Sequence, residues 1–419
     1  MTTSAHLKLV TPKGYEALGT DTVISYLSRL KPITAKLGGA AENWIAMEVG
    51  DGNLNLVFIV KGPAGAVVLK QALPYVRLVG ESWPLPLSRA HYEYMALAEE
   101  TQHAPEFVPA LYHHDHDMAL TVMEYLDPHI ILRKGLIAGK RYPEMAKHLG
   151  LFLARTLFHT SDYHLESTAK REKVAQYLTN TAMCKISEDL IFDEPYFNAP
   201  MNRHTSPQLD STALAFRQDE ALKLAVQALK YKFMNAPEAL LHGDLHTGSV
   251  MVTENDTRAI DPEFAFFGPM GFDVGAILAN LLMNIFARPG LDGDHDHALW
   301  VAEQIDILWG TFISEFTALW NARGDEGQVC NTRLYPDSPA MKEAALEAVL
   351  HGIWSDALGY AGCKMIRRIL GLAHVEDFET IENDDIRGAC EMRALEFARR
   401  LVLEPDAFAT PADIMKALP

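Results

Sequence analysis

Two acidic turns carry the residues best suited to chemistry. The first is Leu240-Leu241-His242-Gly243-Asp244-Leu245-His246-Thr247-Gly248-Ser249, an apolar lead-in that ends by displaying Asp244. The second is Arg258-Ala259-Ile260-Asp261-Pro262-Glu263, where an apolar stub delivers Asp261 and Glu263. Seventeen positions separate Asp244 from Asp261, room for an out-and-back excursion through Val250-Met251-Val252. Carboxylate turns brought together in this way suit phosphoryl transfer. One carboxylate orients and deprotonates an acceptor hydroxyl, and the others hold the metal that bridges the nucleotide phosphates. Either turn alone reads equally well as a surface loop rich in Gly, Asp and Thr; their order and spacing favour the chemical reading. In that reading Asp244 is the catalytic base and meets the acceptor, while Asp261 and Glu263 ligate magnesium through hard carboxylate oxygens.

The elements that must position these residues begin upstream. Trp44 to Val49, the turn Gly50-Asp51-Gly52-Asn53, then Leu54 to Val60 read as strand, turn, strand, and Ala66 to Gln71 as a third strand. Gly52 and Asn53 at the hairpin tip would cover phosphates that Lys70 on the third strand reaches, although Asp-Gly between two β runs makes a hairpin with or without a ligand. A helix capped at Ser88 carries Glu93, a partner for Lys70 or else an exposed glutamate. The apolar run Ala119 to Met123 leads into Glu124, Tyr125 and Leu126, a hinge whose backbone groups would bind an adenine edge. The expected division is a nucleotide-clamping lobe over 1–123, with an N-terminal helix through Val23, Ile24, Leu27 and Leu30 stopped by Pro32, and a helical lobe over 124–419.

In the second lobe, Met145 to Thr160 and Ala213 to Tyr231 each have helical spacing, and Lys170-Arg171-Glu172-Lys173 reads as a solvated charged face. His242 and Asp273 suit scaffolding, Asp273 by accepting backbone N–H groups of the catalytic turn; His246 is ambiguous. Arg367 and Arg368 lie amid apolar residues on a presumed helix. They are either structural ion pairs or a fork of donors that holds substrate hydroxyls and spreads the charge of the transferring group.

A formal net charge of −18 argues against a nucleic-acid or anionic-membrane partner and makes any phosphate site a local island of Lys and Arg. Cys184, Cys330, Cys363 and Cys390 show no C-x-x-C spacing and read as reduced thiols of a cytoplasmic protein. The longest apolar run, Val274 to Ala287, is interrupted by Asn280 and Asn284, so no membrane span is expected. His113-His114-Asp115-His116 could take up a metal adventitiously, but loop histidines are ordinarily solvated.

The string HGDLHTGSVMV followed by IDPEFAFFGPMGFDVGA is similar to the methylthioribose kinases, and the resemblance runs from about Gly19 to the C-terminal arginine cluster. It implies an α+β, two-lobed protein-kinase-like fold with a mostly antiparallel β small lobe and a mainly helical large lobe. It further implies ATP- and Mg2+-dependent phosphorylation of the anomeric hydroxyl of 5-methylthioribose in methionine salvage, by a homodimer. Asp261, Pro262 and Glu263 would then sit at the nucleotide and metal, and Arg367 and Arg368 at the substrate. Ser249 departs from the asparagine that the wider fold carries at the end of this loop, and Glu263 would compensate. Competing readings are a kinase for another small alcohol (an aminoglycoside or choline), a catalytically inactive nucleotide-binding protein, and a metal-dependent hydrolase.

Overall fold

Helices and an antiparallel sheet form the first part of the chain in the computed structural model, which describes residues 11–50, 54–76, 80–323, 329–330 and 338–418. Contacts divide the chain into two units, residues 1–127 with 262–264, and residues 128–261 with 265–419.

The first unit opens with helices α1 (Thr20–Leu27) and α2 (Lys31–Leu37). Pro32 does not stop a helix as expected. It stands in the first turn of α2, where a missing N–H costs nothing and its fixed φ suits helix entry. Strands β1 (Ile45–Glu48), β2 (Asn55–Gly62), β3 (Gly65–Ala72), β4 (Leu111–Asp115) and β5 (Leu120–Glu124) form one antiparallel sheet in the order β1-β2-β3-β5-β4. Val23, Leu27, Ile33 and Leu37 of the helices pack with Phe58, Val60, Val67, Leu69, Leu120 and Val122 in one core. Because side chains alternate along a strand, Val67, Leu69 and Gln71 are buried on one face of β3 and Lys70 falls on the other. Helix α3 (Arg89–His103) follows, between β3 and β4 in the chain.

The second unit is mainly helical. Strand β6 (Ile130–Ile131) leads into α4 (Leu132–Ile137), α5 (Met145–His159) and α6 (Ser167–Tyr177). The single helix expected over 213–231 is two, α7 (Asp210–Gln218) and α8 (Glu220–Asn235). Asp219 breaks them with extended backbone and caps the second, its Oδ1 accepting from Leu222 N–H at 3.0 Å. Strands β7 (Ala239–Leu241) and β10 (Phe266–Gly268) pair antiparallel, as do β8 (Val250–Val252) and β9 (Thr257–Ala259), which form the out-and-back excursion between the acidic turns. Helices α9 (Gly271–Leu291), α10 (His295–Ala322), α11 (Pro339–Leu370), α12 (Glu376–Glu379) and α13 (Asp384–Leu403) complete the part of interest.

Helix α9 is long and apolar enough to cross a membrane, but 83% of its apolar window is buried inside the protein. Its polar interruptions have partners: Asn280 Nδ2 donates to Ala276 O and Asn284 Nδ2 to Asp377 Oδ1, both within 2.9 Å.

The 170–173 run is not merely a solvated face. Lys170 is buried; its Nζ donates to Thr160 O (3.0 Å) and Glu238 O (2.6 Å) and lies 3.4 Å from Asp162. Burial lowers its pKa to about 8 against the pull of Asp162 and Glu238. The ammonium thereby fixes the approach to β7, the strand that feeds the first acidic turn.

Candidate active site

The first acidic turn is held by its backbone. Asp273, at the start of α9, accepts from His242 N–H (2.7 Å) and Gly243 N–H (3.1 Å), the bracing expected of it. Gly243 has φ +83°, a left-handed conformation that other residues rarely adopt, so the chain reverses sharply just before Asp244. His242 is scaffold as expected: Nε2 donates to Ile260 O (2.9 Å), tying the two acidic turns together, and burial lowers its pKa so that it stays neutral. His246 has a definite post. Its Nδ1 accepts from Gly248 N–H at 2.9 Å, which leaves the proton on Nε2, 3.4 Å from Asp244 Oδ2. Burial pushes the His246 pKa down to about 3, so this ring orients Asp244 as a neutral donor.

Asp244 faces a concentration of positive charge. Lys364 Nζ lies 3.1 Å from its Oδ1, and this lysine side chain is 7% exposed. Burial works to raise the Asp244 pKa, but Lys364, His246 and Arg368 overcome it and hold the carboxyl well below its ordinary value. Lys364, Arg367 and Arg368 all project from the last turns of α11. Burial disfavours charge on both arginines while Asp244 favours it, and Arg367 Nε has no hydrogen-bond partner among the described residues. A fourth cation comes from α4: Arg133 donates to Thr247 Oγ1 (3.2 Å) and Asn280 Oδ1 (2.9 Å). Lys364 and Arg133 are the residues that sequence reasoning missed. Lys364 had a signal, since positions 364, 367 and 368 share one helical face; Arg133 had none, its partners being more than a hundred residues away.

The first unit has its own charged cluster, built on one helix. Lys70 Nζ pairs with Glu93 Oε1 at 2.8 Å, both side chains largely buried, so Glu93 is not an exposed glutamate. Four residues earlier on α3, Arg89 is wholly buried, with Nε 3.3 Å from Glu263 Oε2. Its terminal nitrogens donate to Leu73 O, Pro86 O, Leu54 O and Asn55 Oδ1, and Asn55 Nδ2 donates to the same Glu263 oxygen at 3.0 Å. Pro262 and Glu263 group with this unit, whereas Asp261 groups with the other. Asp261 has φ +72°, a conformation that costs an aspartate of the order of 1 kcal/mol or more and marks functional turns. Gly52 and Asn53 lie outside the described residues. Glu124 ends β5, its carboxylate accepting from Ala110 N–H at 3.0 Å, and Tyr125 and Leu126 follow where the chain leaves the first unit.

Two of the three histidines of the 113–116 run are on a strand rather than in a loop, while His116 lies in the turn that follows. His113 and His114 lie on β4, and His114 and His116 gather with His91 of α3. Burial and the neighbouring rings bring His114 down to about 4 and lower His91. The four cysteines are free thiols.

Comparison with known proteins gives the chain its family. Residues 46–305 match the model of a phosphotransferase enzyme family. A methylthioribose kinase of Escherichia coli is 45% identical over 97% of this chain and 98% of its own. Methylthioribose kinase 1 of Oryza sativa subsp. japonica is 44% identical over 93% of this chain and 92% of its own. A methylthioribose kinase of Yersinia enterocolitica is 46% identical over 85% and 88%. Among solved structures, a choline kinase from Cryptosporidium parvum covers 94% of this chain and 98% of its own, with a TM-score of 0.45 and 11% identity.

Proposed function

Given that the chain belongs to the phosphotransferase enzyme family and, within it, to the methylthioribose kinases, we propose that it transfers the γ-phosphoryl group of ATP to the anomeric hydroxyl of 5-methylthioribose, a step of methionine salvage. The observation that carries this reading is Asp244, an ionised carboxylate aimed by His246 and set among Lys364, Arg367 and Arg368.

The acceptor oxygen forms a bond to the γ-phosphorus as the bond to the ADP oxygen breaks, and the hydroxyl proton passes to Asp244. A carboxylate with so low a pKa is a weak base in the ground state. Its first task is therefore to orient the hydroxyl, and the proton moves late, in keeping with a loose transition state. An anomeric hydroxyl, more acidic than an ordinary alcohol because of the ring oxygen, suits such a base. Arg367 and Arg368 take substrate hydroxyls or the charge on the moving group. A cationic acceptor such as choline or an aminoglycoside would meet the like charges of Lys364, Arg367 and Arg368 beside Asp244, which disfavours those alternatives.

Lys70, oriented by Glu93, serves the phosphates together with Gly52 and Asn53. The backbone of Glu124, Tyr125 and Leu126 serves the adenine at a hinge dividing lobes 1–123 and 124–419. Asp261 and Glu263, flanking Pro262, offer the hard oxygen donors that Mg2+ prefers, and the ion would supply charge neutralisation of the phosphates. Arg89 and Asn55 already neutralise part of Glu263, which makes Asp261 the principal ligand. The resemblance supports a homodimer, and the four free thiols support a cytoplasmic setting.

A coupled ADP-release assay with ATP, magnesium and a panel of methylthioribose, ribose, choline and an aminoglycoside tests the assignment. Release with methylthioribose alone is expected. Release only with a different acceptor overturns the substrate, and ATP binding without release to any acceptor favours the inactive reading.

A further inference from the structure

We propose that His91, His114 and His116 form a transition-metal site, for a cation of the zinc, copper or nickel class, that fastens helix α3 to the β4–β5 hairpin. One nitrogen from each ring lies within 4.8 Å of the others, and all three residues belong to the first unit. His91 Nδ1 and His114 Nε2 are 3.4 Å apart. Two nitrogens at about 2.0–2.1 Å from a tetrahedral ion stand about 3.3–3.4 Å from one another, so this pair already has the spacing of a chelate. His91 and His116 meet edge to face with ring centroids 5.0 Å apart.

The supporting contacts are those that aim a ligating imidazole. His114 Nδ1 lies 3.1 Å from Thr121 Oγ1; with the proton on Nδ1, Nε2 turns its lone pair towards His91. The His114 ring is stacked on Tyr94, centroids 4.2 Å apart and planes 3° from parallel, which fixes its rotation. Asp115 is engaged elsewhere, Oδ1 accepting from Met118 N–H and Oδ2 from Tyr26 O–H, so the donor set is imidazole only. Imidazole nitrogen selects zinc, copper or nickel over magnesium. The exposed His116 leaves a side open to solvent, hence a fourth position for water. His91 is two residues from Glu93 on α3, and the bound ion would steady the turn that presents Glu93 to Lys70.

The test uses the untagged full-length protein, stripped with chelator and then equilibrated with zinc in excess magnesium, with bound zinc counted per chain. The wild type is expected to hold one zinc more than the His91→Gln/His114→Gln variant. Thr121→Val, which leaves all three ligands in place but removes the partner of His114 Nδ1, is expected to weaken zinc binding about 10- to 100-fold. Melting of the metal-free variants at the wild-type temperature separates lost binding from lost folding, and Thr121→Val carries the test should the double variant melt early. Equal zinc counts in wild type and double variant, or unchanged affinity in Thr121→Val, overturn the proposal. So does a count that falls only in His374→Gln, which would assign the ion to the other cluster, His374, Glu379 and Glu391.

Discussion

The charged clusters of the two units are built on opposite plans. On α3, each charge meets its opposite: Lys70 with Glu93, Arg89 with Glu263, the two helix members four residues apart on one face. Around Asp244 the signs balance less well: the four cations Lys364, Arg367, Arg368 and Arg133 have three carboxylates near them, Asp244, Asp273 and Asp377. The first plan satisfies itself and gives rigidity. The second leaves more cations than carboxylates. A protein with a net charge of −18 thus gathers four cations around one buried turn.

This contrast can be broken by substitution. Asp244→Asn is expected to lower kcat by roughly 10²- to 10⁴-fold while ATP affinity, measured by titration calorimetry, stays near wild type; near-normal turnover would remove Asp244 as the base. Arg89→Met, in the balanced cluster, takes the guanidinium away from the buried Glu263 carboxylate and its donors away from several carbonyls. It should cost about 3–5 kcal/mol in denaturant unfolding, and a loss below about 1 kcal/mol would show that the cluster does not act as a brace. Arg367→Ala and Arg368→Ala each should weaken use of the sugar by an amount equivalent to about 1.5–3 kcal/mol, with KM for ATP unchanged. Equal loss of folded protein in both would move these arginines to the structural side.

Lys364→Met sharpens the comparison most finely. Lys364 lowers the Asp244 pKa by favouring the charged form; without it the folded pKa rises, and the acid limb of kcat/KM moves to higher pH. An unmoved limb would mean that Lys364 does not set the charge state of Asp244.

Much of this was readable in advance where the signal is local. Strand β3 follows from period-2 burial, whereas β4 was hidden behind histidines that read as a loop, and the post of Asp273 follows from its place after the second acidic turn. The family resemblance, carried by contiguous strings, was the surest guide to substrate. Long-range polar contacts were not readable. Lys170 sits in a run of four charges that any local rule assigns to solvent, yet its ammonium ends on two backbone carbonyls. Arg89 reads as an ordinary helix start, and only the folded chain shows that it reaches Glu263, 174 positions on. Pro32 and Asp219 show the limits at helix ends, where one residue can close a helix or open the next.

Lys364, Arg367 and Arg368 occupy a single stretch of about 6 Å along the axis of α11. Two residues before the lysine, Gly362 lies so close to α13 that a methyl group there would stand 2.5 Å from Ala398 O. The three cations are therefore graduations on one gauge whose zero is set by a backbone contact outside the reaction. Recalibration comes all at once: a Gly362→Ala chain would displace every mark together, and in the proposed reaction acceptors would be mismeasured although no proposed reacting group is lost.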